Sequence, residues 1–347
     1  MITERKSLKD ISWQVTEPEY RVDNALSYSI LSKYEREGFN NLDKLFDRVE
    51  SPSLTFGSVV DTLITGSEEE FNQHFMVAQI DNSLSDALVN ITKKLFNAWH
   101  TAFSDINDIP DNTIIDTIAD IPWNSHWLPK TRVKKIKEDC AAYYKLLYIA
   151  EKRTIIDSYT YRDALNTVDR LKSSDATKFY FEQNNLFDNN IERFYQLKFK
   201  ATFNNVNYRC MADELIVIHD NKIVVPIDLK TSSKPEWDFY KSFIDWRYDI
   251  QGRLYWRIIR YNMDQDDYFK DFKLADYRFI VANRKTLTPL VWLFGNTNKY
   301  GDLMTVNNFV MRDPFTIGEE LTNYLINKPL VPNRINLVEP NKLEDWL

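Results

Sequence analysis

Tyr208-Arg-Cys-Met-Ala-Asp-Glu-Leu-Ile-Val-Ile-His-Asp-Asn-Lys-Ile-Val-Val-Pro-Ile-Asp-Leu-Lys-Thr231 holds two apolar, β-branched runs separated by His219-Asp220-Asn221-Lys222. Short runs rich in Val and Ile, bounded by turn residues, read as strands, and the Asp220-Asn221 pair supplies the turn of an antiparallel hairpin. A third run, Phe194–Phe203, precedes them across a second turn pair, Asn204-Asn205. The spacing therefore predicts a three-strand meander over Phe194–Phe203, Tyr208–Ile218 and Ile223–Lys230.

Outward from the meander the periodicity changes. Tyr240, Phe243, Ile244, Ile250, Leu254 and Ile258 recur at helical spacing and predict a helix from about Trp237 to Tyr261. Two further strands follow, Tyr277–Ala282 and Pro289–Phe294, and the tail from about 314 to 347 carries one short helix and proline-rich connections. Upstream, Leu26, Ile30, Leu31 and Tyr34 give a helix within about 24–48. After Ser51-Pro52-Ser53 a second runs from Phe56 to Leu63. Between about 84 and 185 the pattern is helical and aromatic, broken by a Pro122–Pro129 loop that contains Trp123 and Trp127. The fold class is α+β, a core of strands and helices carrying a large helical insertion. The segments expected are N-terminal helices over 1–80, the insertion over 81–190, the core over 191–300, and a C-terminal helix and tail over 301–347.

Composition narrows the chemistry. The chain has 347 residues, 44% hydrophobic and 27% charged, which fits a folded chain and excludes wholesale disorder. No apolar run approaches the roughly 20 residues of a spanning helix, and the N-terminus meets charged residues at once, so no membrane or secretory segment is expected. The seven glycines are too dispersed for GxGxxG or GxxxxGK[ST], which need close glycines to bring backbone to a phosphate. GxSxG and HExxH are absent. Two cysteines, Cys140 and Cys210, are too few for a disulfide framework, a four-cysteine zinc site or an iron–sulfur cluster bound by cysteines alone. A reducing cytoplasm is the expected location. Net charge is −7, yet Lys130, Arg132, Lys134, Lys135 and Lys137 form a local basic run, either a solvated helix face or a phosphate contact. Carboxylates and lysine, with a hard metal, remain as the source of chemistry.

The meander supplies them. Period-two geometry puts Asp228 and Lys230 on one face of the third strand, and the Asp220-Asn221 turn folds Asp213 of the second strand back toward them. Two carboxylates suit Mg²⁺ or Mn²⁺, and a lysine beside them can orient and help deprotonate a water while favouring an anionic transition state. Glu214 should face away from Asp213. Glu192 and Glu214 are the neighbouring acids that could add to the ligands, and His219 reads as a surface loop histidine.

Asp213…Asp228-Leu229-Lys230 resembles the PD-(D/E)XK nuclease superfamily, and Gln251-Gly-Arg-Leu-Tyr255 resembles the QxxxY motif of its RecB-like branch. Phe56-Gly57-Ser-Val-Val-Asp61 is similar to the GxxxH helix of that branch, with Asp61 where the family has histidine and Gly57 taken to permit close helix-to-sheet approach. Ser27-Tyr-Ser29-Ile-Leu31-Ser-Lys-Tyr34 resembles the opening helix of RecE-like exonucleases, the exodeoxyribonuclease VIII type. The resemblance implies a restriction-endonuclease-like core and a Mg²⁺- or Mn²⁺-dependent deoxyribonuclease without an iron–sulfur cluster. It implies metal ligands at Asp61, Asp213, Asp228 and the Leu229 carbonyl, and water positioning by Lys230. Gln251 and Tyr255 would orient Lys230 or the phosphate. It further implies an exonuclease acting on DNA ends in phage-type recombination, with a single-strand annealing protein as partner and homo-oligomers. A structure-selective or single-strand endonuclease on the same site, or a catalytically silent DNA-binding or structural protein of the same fold, is the alternative.

Overall fold

The computed structural model describes residues 5–47, 51–79, 84–184, 190–305 and 309–327. In chain order they form α1 (Glu17–Val22), α2 (Tyr28–Glu37), α3 (Pro52–Thr65), α4 (Glu68–His74), β1 (Phe75–Ala78), α5 (Asp86–Trp99), α6 (Asp111–Thr117), α7 (Pro129–Ala150), β2 (Thr154–Asp157) and α8 (Ser158–Ser173). There follow β3 (Ile191–Phe203), β4 (Val206–Ile218), β5 (Ile223–Ser232), α9 (Phe239–Asp245), α10 (Tyr248–Asp264), β6 (Lys273–Leu274), β7 (Tyr277–Asn283), β8 (Pro289–Phe294), β9 (Leu303–Met304), β10 (Val310–Met311) and α11 (Pro314–Asn327). The class is α+β, as expected, and the tail beyond residue 327 lies outside the described residues.

Two compact units divide the chain: Met1–Gly57 with Thr167–Leu347, and Ser58–Asn166. The second unit thus starts and ends earlier than the 81–190 insertion of the sequence reading. The physical reason is the parallel pairing of β1 with β2, Phe75 opposite Thr154 through Ala78 opposite Asp157, which closes the unit on itself. Neither short strand shows in the helical pattern of the sequence. The core of this unit gathers Leu88, Ile91 and Leu95 of α5 with Val133, Ile136, Cys140 and Tyr144 of α7.

The first unit is organised by a sheet ordered β3-β4-β5-β7-β8, with β6 pairing β5 off that path. The expected meander is present: β3, β4 and β5 are successive antiparallel partners, and β5 is parallel to β7. Asn204 and Asn205, with φ of 50° and 64°, make the left-handed turn between β3 and β4. Both of those strands begin a few residues earlier than the sequence predicts. The helix expected over Trp237–Tyr261 is broken in two at Trp246-Arg247, where Arg247 has φ 57° and is held by Asp249 at 3.0 Å and Glu35 of α2 at 3.2 Å. That ion cluster is tertiary and leaves no trace in the periodicity.

α10 is the central helix of the unit. Ile250, Leu254, Ile258, Ile259 and Met263 pack into the core formed by β3, β4 and β7. Arg253 on the same helix is fully buried and bonds the backbone of Lys299, Gly301, Met311 and Arg312 as well as Asp313. These bonds meet the two terminal nitrogens of the buried guanidinium, while its Nε has no hydrogen-bond partner among the described residues.

Candidate active site

The β4–β5 ladder runs from Ile218 opposite Ile223 to Glu214 opposite Ile227 and stops there. Asp213 and Asp228 occupy the next rung. Instead of pairing backbone to backbone, Asp213 takes the Leu229 N–H on its Oδ2 at 2.9 Å. On the other side of Asp213 the β3–β4 ladder skips Gln196, a non-glycine residue at φ 53°. Such a conformation costs free energy and collects at functional sites. Regular ladder pairing is therefore interrupted on both flanks of Asp213, while β5 continues alongside β7 from Asp228 to Ser232.

Asp228 is 1% exposed, and its two oxygens have different partners. Gln251 Nε2 donates to Oδ1 at 2.5 Å, and Lys230 Nζ stands 2.6 Å from Oδ2 as an ion pair. That second contact is not aligned as a hydrogen bond, so Oδ2 has none. The Lys230 ammonium also lies 4.8 Å from the Tyr248 ring centroid, a cation–π distance. Burial pulls the Lys230 pKa down, but the Asp228 carboxylate raises it further, helped by Tyr248, Tyr28 and Asp213. The net shift is upward, and the ammonium stays charged.

Gln251 and Tyr255 share one face of α10, and both are buried. α10 approaches the sheet closely here: a Cβ on Gly252 would meet Phe294 Cδ1 at 3.0 Å and Tyr277 Cβ at 3.6 Å. The Tyr255 and Tyr277 rings lie 6.2 Å apart, edge to face. Burial raises both phenol pKa values well above the ordinary range, and the nearby Asp228 and Asp213 carboxylates raise them further. Among the described residues, Tyr277 Oη and Gln251 Oε1 are buried with no hydrogen-bond partner.

Asp213, Asp228, Lys230, Gln251 and Tyr255 are thus brought to one place. Leu229 takes part through its N–H. Asp61 lies on α3 in the second unit, four residues beyond Gly57. A Cβ on Gly57 would stand 3.5 Å from Thr231 Oγ1, an ordinary contact, so close approach does not require glycine there. Among the described residues no group of three or more His, Cys, Asp and Glu stands together as a metal cage.

Tyr28, Tyr248 and Tyr277 border the site and are not among the expected site residues. Tyr248 has a signal, since it precedes Gln251 by three residues on the same helix; Tyr277 opens a strand and has none. His219 departs from the surface reading. It is buried, with Glu192 Oε2 at 2.7 Å on Nε2 and the Tyr268 hydroxyl at 2.8 Å on Nδ1, which removes both it and Glu192 from the site. Glu214 is buried as the adjacent rung, and burial pushes its pKa up to about 8 against a weaker opposing effect of Arg193. In the second unit, Lys134, Lys135 and Lys137 pair with Glu138, Asp139 and Asp111, and Arg132 bonds the Ile121 carbonyl. The basic run is largely satisfied internally. Trp123 and Trp127 lie 5.8 Å apart against each other. No described helix is long and apolar enough to cross a membrane.

No protein-family model matches the chain, and no curated protein matches it. Among solved structures it is similar to a chain from Eubacterium rectale described as "Putative exonuclease", at 14% identity over 94% of this chain and 92% of that one, with a TM-score of 0.44. A superposition that loose does not establish a shared fold.

Proposed function

We propose that the chain is a metal-dependent nuclease of the PD-(D/E)XK type. One observation carries this reading: two carboxylates at the broken end of a strand ladder, with a charged lysine two residues on and a glutamine from the next helix bonded to one of them. The donor chemistry fits a hard divalent cation, because Asp228 Oδ2 is buried with an ion pair but no hydrogen bond. Asp213, Asp228 and the Leu229 carbonyl would hold it. When bound, Mg²⁺ or Mn²⁺ supplies Lewis-acid polarisation of a phosphoryl oxygen and a more acidic water.

The chain's own residues do the rest. Lys230, kept charged by Asp228, donates to the attacking water or to a phosphate oxygen and offsets the charge that develops there. In its charged form the lysine acts as a donor and an electrostatic stabiliser. Gln251 fixes the Asp228 carboxylate so that Oδ2 faces Lys230. Tyr255 supports the same α10 face one turn on. By likeness to the family that the motifs resemble, hydrolysis leaves a 5′-phosphate. The preferred substrate is a DNA end, in phage-type recombination with an annealing protein as partner and the chain as a homo-oligomer.

End-labelled linear DNA and covalently closed DNA, incubated with Mg²⁺, Mn²⁺ or chelator, test this. Loss of linear DNA alone, dependent on the cation, supports an exonuclease; nicking of closed circles supports the endonuclease alternative. Cleavage that persists in excess chelator, or no cleavage under any cation, overturns the proposal. Binding without cleavage is the outcome for a silent member of the fold.

A further inference from the structure

The connection between β5 and α10 leaves the sheet two residues beyond Lys230 and returns at Tyr248, whose ring lies 4.8 Å from Lys230 Nζ. Near its end the Trp246 carbonyl accepts a hydrogen bond from the Tyr28 hydroxyl at 2.7 Å. Both ends are therefore anchored beside the site. Its inward side chains, Phe239 and Phe243, pack on Tyr248, Phe279, Trp292 and Phe294. Its outward ones are Trp237, Tyr240 and Trp246, exposed by 75%, 42% and 50%.

Three exposed large apolar side chains in so short a segment need a reason, and all three are aromatic. A docking face for another protein would join aliphatic and aromatic residues into one contiguous apolar patch. Here Glu236, Asp238, Lys241 and Asp245 interrupt the rings. The Arg36 guanidinium lies over the Trp246 ring at 4.8 Å, a cation–π contact within the chain that leaves the ring half exposed. Lys234 and Lys241 pair with Asp245 and Asp238 at 2.9 Å in exposed ion pairs, which are worth little and exchange easily for a phosphate. Positive and negative residues are balanced along the connection, so stacking rather than charge dominates what it can bind.

We propose that Trp237, Tyr240 and Trp246 form a base-stacking platform that holds single-stranded DNA beside Lys230. This rests on the nuclease reading and deepens it by naming the substrate form. A duplex keeps its bases stacked on one another, whereas a single strand offers their faces to aromatic rings regardless of sequence. The platform accordingly selects single strands or frayed ends and delivers the next phosphate to the carboxylates.

The test is fluorescence anisotropy of the full chain in chelator, with a labelled oligothymidylate, the same oligomer carrying abasic sites, and a blunt duplex. Trp237→Ala/Trp246→Ala should weaken oligothymidylate binding by about tenfold or more, as loss of base–aromatic stacking does. Duplex affinity should stay within about twofold, and the slope of log affinity against log salt should be unchanged because no phosphate contact is lost. Abasic sites should reproduce the loss in the unaltered chain, and Trp237→Phe/Trp246→Phe should restore most of it. Oligothymidylate bound equally by the Ala variant and the unaltered chain, or an equal loss for duplex and single strand, overturns the platform. If cation-dependent cleavage persists alongside that result, the platform alone fails; if the chain neither cleaves nor binds DNA, the nuclease reading fails with it.

Discussion

Glu214→Gln should abolish a pH dependence that the buried carboxylate imposes on stability. Glu214 sits on β4 between Tyr195 of β3 and Ile227 of β5, is 2% exposed, and has no hydrogen-bond partner on either oxygen among the described residues. Burial raises its pKa from 4.5 to about 8. In the unfolded chain the group ionises near its ordinary value, so between these two values the native state keeps a proton that the unfolded state has shed. Stability therefore falls as pH rises, by about 1.4 kcal/mol per unit, fully present below 4.5 and lost by about 8. The whole window amounts to roughly 4–5 kcal/mol, a large share of a domain's total. Glutamine keeps the shape and stays neutral, so the variant should match the parent near pH 5 and exceed it by several kcal/mol at pH 8. Urea unfolding at pH 5, 6, 7 and 8, in chelator to remove any metal-linked proton release, measures this. Parallel pH profiles for the two proteins would refute the argument.

Lys230→Ala should reduce cleavage by at least about a hundredfold, while the stabilisation by Mn²⁺ in a thermal melt should be equal or larger, because an ammonium no longer competes for Asp228 Oδ2. Asp228→Asn should lose both, and an active Lys230→Ala sinks the assignment. Tyr277→Phe deletes a buried hydroxyl that has no hydrogen-bond partner among the described residues, so it should raise stability by about 1 kcal/mol in urea unfolding; a loss of stability would mean that the hydroxyl is bonded in solution.

The sheet is legible in the sequence because its information is local. β-branched runs and asparagine turns mark β3, β4 and β5, and the bounds Pro289–Phe294 are those of β8. What the sequence hides depends on distant partners. Arg247, where the helix breaks, is held by its neighbour Asp249 and also by Glu35 of α2 at 3.2 Å, an acid that no sequence window around Arg247 contains. His219 has the neighbours of a turn residue, but Glu192 and Tyr268, remote in sequence, bury it. β1 and β2 are four residues each, paired across most of the second unit, and too short to register against the helical pattern around them.

The site is legible for a different reason: its residues are charged or polar inside apolar strands and a helix, where they stand out. Asp228 follows Val-Val-Pro-Ile, and a carboxylate placed there has to be paired or functional. Its surroundings cannot be read the same way, because Tyr28, Tyr248 and Tyr277 are ordinary core residues by composition and matter only through where their rings and hydroxyls end up. The unsatisfied polar atoms explain why they matter. Among the described residues Asp228 Oδ2, Gln251 Oε1 and Tyr277 Oη find no hydrogen-bond partner, and Asp213 and Gln196 sit where two ladders are interrupted. A fold selected for stability alone would replace such groups with apolar ones of the same shape, at little cost or with a gain. Three such atoms beside one carboxylate pair are what a site kept for chemistry at the expense of stability would show under the proposed nuclease reading. That is why the same substitutions that stabilise the chain here should be the ones that slow it.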